Sequence, residues 1–373
     1  MSSHALLSAS SANRWLQCPA SIRLCEKMAD STSVYAEVGS EAHALYEYLL
    51  KVKLGTDATD PTADLAHLDA EMQECAEGYV AYVFEKLETA KQTCKDPVVM
   101  VEQKLDFSRW VKDGFGTADC VIVADDTLTV IDFKYGQGVE VTAEQNPQMM
   151  LYALGSLCLF ESLYDISQVN MCIYQPRKAN VSEWSMHATN LLHWAEGTLK
   201  PVAEVAYAGG GEFKSGEWCR FCKARATCRC RAKANLEVAR ADFAPPATLE
   251  DAEIADILLK LDDIKAWCED VKSYALAQAL KGKKWQGFKL VEGRSARKFT
   301  DDALVAKAVS DAGYEPYEQK LKGITSMTRM LGKKQFEEVL GALTVKPAGK
   351  PTLVKEDDKR QEISIAKLDF KEI

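Results

Sequence analysis

Nowhere in the 373 residues is there an apolar run approaching the ~18 residues that a membrane-spanning helix needs. The opening MSSHALLSASSANRW also lacks the long apolar core of an export signal. These two absences lead to the expectation of a soluble, intracellular protein with no membrane partner. No internal repeat is visible, which excludes a solenoid built of stacked units. There is no excess of positive charge either. Lys and Arg number 46 against 55 Asp and Glu, a net charge of −9, which speaks against a surface coated throughout in nucleic acid. A local basic channel remains compatible with that sum, because binding follows where charge sits. Without an export signal, the 12 cysteines read as reduced thiols or ligands rather than disulfides. What is present is ordinary globular composition, 47% hydrophobic and 27% charged, with length for two or three domains.

Along the chain, Ser10 or Ser11 reads as a cap before a short helix at Ala12–Leu16, broken by Cys18-Pro19. Further helices are predicted from Gly39 to about Leu54 and over 67–94, with a turn-rich stretch between them. Alternating and β-branched residues then predict three strands, at 97–107, 116–124 and 128–134. Asn146-Pro147 starts a helix through about Leu163, with Asn as cap and Pro in the first turn. Strands follow at 169–174 and 182–186, then a helix near 190–208 and a long helical run over 249–281. This order predicts an α/β core over residues 1–235 and a helical C-terminal extension over 248–343, with a hairpin near 285–299. Residues 344–373 read as an extended tail.

The most informative segment is GFGTADCVIVADDTLTVIDFKYG, residues 114–136. Asp125-Asp126 is the natural centre of a turn between two apolar strands, and pairing symmetric about it sets Asp119 opposite Asp132. Directly opposed side chains stand ~5 Å apart, where like charges repel. Lys134, two residues beyond Asp132, shares its face. Paired carboxylates suit a hard divalent cation such as Mg²⁺, and a neighbouring lysine can hold an attacking water. A solvated hairpin with scattered acids and a snorkelling lysine is the plainer alternative. Gln148 and Tyr152, four apart, share one helix face, His43 falls early in a helix, and Glu102 on the first strand could add a carboxylate.

Taken in order, G-x-x-x-H (Gly39, His43), G-x-x-D (Gly116, Asp119), D-x-K (Asp132, Lys134) and Q-x-x-x-Y (Gln148, Tyr152) resemble the RecB-type branch of the PD-(D/E)XK nucleases. Ala118 stands where the superfamily's motif has its proline, a common departure in this branch. The resemblance, over residues 8 to about 233, implies a central mixed sheet flanked by helices. It implies that His43, Asp119, Asp132 and the backbone carbonyl of Phe133 ligate Mg²⁺ or Mn²⁺. Lys134 would then position water, and Gln148 with Tyr152 would contact the strand near the scissile phosphate. NPQMMLYALG and GKPTLVKEDDKR are also similar to a family carried by phages and prophages, which implies the cytoplasm of a bacterial host.

Cys219, Cys222 and Cys228 form C-x2-C-x5-C, close enough to share one soft metal site that needs a fourth ligand. Cys230 is near, but C-x-C spacing strains a shared tetrahedral site. The AddB-type nucleases show a similar split, one early cysteine before proline and three late ones, around a [4Fe–4S] cluster. That resemblance implies Cys18, Cys219, Cys222 and Cys228 as ligands of a structural staple. Zinc is the chemical alternative, since four thiolates suit it equally. The other cysteines, Cys25 among them, sit in apolar contexts and read as small core residues.

Arg220, Lys223, Arg225 and Arg229 lie in one basic stretch, and Lys283 and Lys284 in another with Lys289, Arg294, Arg297 and Lys298. Both interleave aromatics (Trp218, Phe221, Trp285, Phe288), which suits phosphate neutralisation with base stacking, although a solvated charged face would look the same. The expectation is a metal-dependent DNA exonuclease. A DNA-end-binding scaffold is the alternative, and the resemblance suggests a phage single-strand-binding or annealing protein as partner.

Overall fold

The computed structural model describes residues 5–28, 34–241, 251–291, 299–317 and 321–345. The chain divides into two compact units, Met1–Gln278 and Ala279–Ile373.

The first unit is built on a five-stranded sheet in the order β1 (Val98–Asp106), β2 (Phe115–Ala124), β3 (Thr127–Phe133), β4 (Gln168–Gln175), β5 (Asn180–His187). β3 and β4 are parallel and every other neighbouring pair is antiparallel. A parallel pair requires a crossover, which α5 (Pro147–Phe160) supplies. Its start is as expected: Pro147 lies in the first turn, and the Asn146 side chain accepts from the N–H groups of Gln148 and Met149.

Helices cover both faces of the sheet. On the α5 side, Val121, Val123, Leu128, Val130, Val169 and Met171 pack with Met150 and Leu154. On the other side, Cys120, Ile122, Ile131, Phe133 and Cys172 meet α3 (Val34–Leu54) and α4 (Ala70–Ala90) through Leu45, Tyr46, Tyr79 and Val83. Burial on both faces explains why β2 and β3 read as nearly continuous apolar runs. α3 starts five residues before the expected Gly39. α4 is shorter than the expected 67–94, because Asp69 caps it by accepting from Met72 N–H at 2.7 Å.

Preceding these, α1 (Ala12–Gln17) and α2 (Ser21–Glu26) lie against the α5 side through Ala12, Trp15 and Ile22. The serine cap expected for α1 is absent. Ser11 occupies the cap position, but its hydroxyl bonds back to the Ser8 carbonyl at 3.2 Å. Ser8 also accepts from the indole of the fully buried Trp15 at 3.1 Å, so the carbonyl organises this end. The helix expected at 190–208 is α6 (Ala188–Trp194) and α7 (Lys200–Ala208), joined by a π-helical turn at Ala195–Leu199. Pro201 has no N–H for the carbonyl four residues back, and the wider turn absorbs that mismatch. α8 (Arg229–Ala241) and α9 (Asp251–Leu280) follow.

The second unit carries α10 (Asp302–Asp311) and α11 (Ile324–Leu340). Of the hairpin expected at 285–299, residues 285–291 and 299 are described and form no strand; its remainder, like the tail from 346 onward, lies outside the described residues. No helix among the described residues is long and apolar enough to cross a membrane.

Candidate metal centre

The β2–β3 register is the one the symmetric turn predicts: pairs run from Ala124↔Thr127 to Cys120↔Ile131, with Asp125 at φ 50° in the turn. Asp119 and Asp132 are next in line, and there the strands part. β2 stays paired to β1 as far as Asp106↔Phe115, while β3 stays paired to β4 as far as Phe133↔Tyr174. The Asp119 carboxylate fills the opening, where its Oδ2 accepts from the Phe133 N–H at 2.6 Å.

β1 is irregular at the same level. Val101↔Cys120 and Gln103↔Ala118 bracket Glu102 and Asp119, and Glu102 has φ 50°, a strained value for a side chain within a strand. Face alternation changes across this pair. Val98 and Met100 lie on the α5 side, Val99 and Val101 on the other, yet Leu105 beyond Glu102 is again on the α5 side. In an unbroken strand Leu105 would share a face with Val101. The irregularity brings Glu102 to His43 of α3.

The His43 Nδ1 is 3.6 Å from Asp119 Oδ1 and 3.9 Å from Glu102 Oε1. The ligand atoms of His43, Glu102 and Asp119 all lie within 4.8 Å of one another. Tyr46, one turn along α3, donates its hydroxyl to Glu102. Its ring and those of Tyr79 and Phe133 form an aromatic wall under His43.

On the α5 side, Lys134 Nζ is 2.9 Å from Asp132 Oδ2 and donates to Asp132 Oδ1 and Gln148 Oε1, each at 3.2 Å. The Gln148 amide donates to Asp132 Oδ1 at 3.3 Å and to the Tyr152 hydroxyl at 3.1 Å. Asp132 is 1% exposed, and its Oδ2 has the ammonium nearby but no aligned hydrogen-bond donor. Gly116 is needed here for close approach. A Cβ on it would come within 2.9 Å of the Tyr152 ring, which couples the glycine of G-x-x-D to the tyrosine of Q-x-x-x-Y.

The electrostatics are those of a site short of positive charge. Burial, then the neighbouring Asp132, pushes the Asp119 carboxyl up to about 7. Burial disfavours the charged forms of His43 and Lys134. For His43 the hydrogen bond to Glu102 and the charge of Asp119 outweigh it, and for Lys134 the charges of Asp132 and Asp119 do, so both groups end above their ordinary values. A buried carboxylate oxygen without a donor, beside a second carboxyl held partly protonated, is a set of oxygen and nitrogen donors that a divalent cation would satisfy. His43, Glu102 and Asp119 could hold such an ion.

The cysteines predicted as ligands meet elsewhere. Cys18, Cys219, Cys222 and Cys228 line one cavity with Arg14, Lys214 and Arg225. The Lys214 N–H donates to Cys18 Sγ at 3.3 Å across 196 residues, and Arg23 Nε donates to the Tyr207 carbonyl at 3.0 Å. Cys230 is not among the residues lining the cavity, and its thiol donates to the Phe213 carbonyl at 3.2 Å. Cys25 has a neighbour that sequence reading missed: its Sγ is 3.6 Å from that of Cys222.

The basic residues separate. Arg220, Lys223 and Arg229 are exposed, whereas Arg225 is paired with Asp270 of α9 at 2.8 Å. In the second unit Lys283 lies over the Trp285 ring and Lys284 is exposed; Arg294, Arg297 and Lys298 lie outside the described residues. Tyr46 and Cys25 are among the neighbours of the sites that the sequence did not lead us to expect. Tyr46 was legible in principle, three residues from His43 and so on its helix face. No local pattern marks Cys25.

A solved crystal structure of SSO0001 is similar over 59% of this chain and 96% of that one, at 14% identity and a TM-score of 0.22. A family model described as a protein of unknown function, DUF2800, matches residues 4–361, and the chain therefore belongs to the DUF2800 family.

Proposed function

We propose that this protein is a metal-dependent DNA nuclease of the RecB-like PD-(D/E)XK kind, acting as an exonuclease at DNA ends in phage replication or recombination. The observation that carries the reading is the meeting of Asp119, Asp132, Lys134 and Gln148 where β2 and β3 part, with His43 and Glu102 on the far side of Asp119. His43, Glu102 and Asp119, with Asp132 adjoining, would hold Mg²⁺ or Mn²⁺, the imidazole favouring Mn²⁺. Bound there, the cation would supply positive charge for the two carboxylates and for the phosphate in its transition state.

The chain's own groups would do the rest. The Lys134 ammonium, which can only donate, would orient the attacking water by its oxygen and face the phosphate. Gln148 fixes Lys134 by accepting from it, and Tyr152 fixes Gln148 in turn. A strand laid over the N-terminal turn of α5 would meet both.

The four cavity cysteines support a [4Fe–4S] staple in the same reading. Zinc, which four thiolates suit equally, is the alternative occupant. Arg14 and Lys214 on the cavity lining suit an anionic group there.

The test is anaerobic purification, then incubation with end-labelled linear and closed-circular DNA, single- and double-stranded, with Mg²⁺ or Mn²⁺. Loss of linear but not circular substrate, absent in Lys134→Ala, is the expected result. Normal cleavage by Lys134→Ala would sink the site assignment. Binding without cleavage on every substrate would favour the end-binding scaffold.

A further inference from the structure

We propose that Cys25 and Cys222 form a reversible disulfide whenever the cysteine cavity lacks its metal group, so that an oxidative cross-link replaces the staple and blocks its reassembly. The competition with a cluster rests on the reading above; the cross-link itself stands on the geometry. The two sulfurs are 3.6 Å apart, and both residues are buried, at 4% and 7% exposure. A disulfide needs ~2.0 Å, an approach that small χ rotations can supply. The two segments already meet: Lys223 Nζ donates to the Met28 carbonyl at 3.4 Å, and Cys25, Cys222 and Ala224 share one small apolar cluster with Met28 and Cys228. Cys222 lines the cavity, whereas Cys25 is absent from its lining and backs Cys222. A metal bond to Cys222 would therefore leave Cys25 without a partner thiol.

The chemistry balances with a peroxide as oxidant. One thiol takes an oxygen from hydrogen peroxide, becoming a sulfenic acid and releasing water. The second sulfur then attacks it, the S–S bond forms, and the departing hydroxide takes the thiol proton as a second water. A dithiol reductant reverses the bond.

Trypsin places the two cysteines in separate peptides, 24–27 and 221–223, apart from every other cysteine of the cavity. The experiment compares protein as purified anaerobically with chelator-treated protein. Each is exposed to hydrogen peroxide, capped with N-ethylmaleimide and mapped without reduction; iron and labile sulfide are assayed in parallel. The expected result is a 24–27/221–223 cross-link in the chelated protein alone, with loss of iron reloading that dithiothreitol restores. Cys25→Ala should load iron as the wild type does and show no such cross-link. Cross-links confined to Cys18, Cys219, Cys222 and Cys228 would overturn the proposal. An equal yield of the 25–222 bond in iron-loaded protein would overturn the competition. Absence of iron and sulfide in the starting protein would instead count against the cluster, while the peptide map still decides the cross-link.

Discussion

Asp119 concentrates the cost of the metal-free site. Its folded-state carboxyl titrates near 7 instead of the ordinary 3.8, so the folded chain holds the extra proton through that interval. The Asp119 contribution to metal-free stability should therefore fall as pH rises from about 4 to 7, because at this group the folded state binds more protons there than the unfolded one. Asp119→Asn removes the titration yet keeps an oxygen for the Phe133 N–H. In chelator, its thermal stability should match wild type below pH 4 and exceed it above pH 7, by on the order of 1–3 kcal/mol. The same variant should lose the rise in melting temperature that Mn²⁺ gives the wild type. A wild type with no Mn²⁺-dependent shift at any pH would remove the metal from the site.

At the scale of elements, two glycines of the site do opposite things. Gly116 lets α5 and β2 close on each other, so Gly116→Ala must displace the Tyr152 ring and with it the hydrogen bond to Gln148. That variant should lose cleavage and some stability together. Gly39, one helical turn before His43, has nothing within 4 Å of where a Cβ would stand. Gly39→Ala should therefore stabilise α3 by about 0.5–1 kcal/mol, as alanine does in helix interiors. If the open space is kept for DNA, the same change should weaken binding, measured as a higher Kd for end-labelled single strands. Unchanged binding would leave Gly39 without a site role. The order of the motifs was legible because each is local: strand alternation sets Asp132 beside Lys134, and helical spacing sets Gln148 beneath Tyr152.

At the scale of the molecule, charge ties α9 to the cysteine-bearing segment that precedes it. Asp270 of α9 bridges Arg225 and the buried Arg231. Asp270→Ala would leave Arg231 buried without a counter-charge, a loss of about 3 kcal/mol to be read from denaturant unfolding. Asp270→Asn, which can still accept, should recover part of it. If the proposed cluster is present, Cys219→Ser should lower thermal stability and bleach its brown colour, since a cluster there would join segments nearly 200 residues apart. A colourless wild type carrying zinc would change the metal while keeping the staple.

The sequence by itself determined whatever depends on nearest neighbours along the chain. The Asp125-Asp126 turn dictated the β2–β3 register, the alternation of apolar residues dictated the buried faces, and Asn146-Pro147 dictated where α5 begins. Each follows from the fixed periods of strand and helix and from the φ and hydrogen-bond limits of single residues. Only the tertiary structure decided that Glu102 leaves regular strand geometry to join His43 and Asp119, that Asp270 claims Arg225, and that Cys25 stands against Cys222. Those outcomes depend on how separate elements pack. Side-chain distances between segments 45 to 197 residues apart are set by the shape of the core, for which no local pattern in the chain is a substitute.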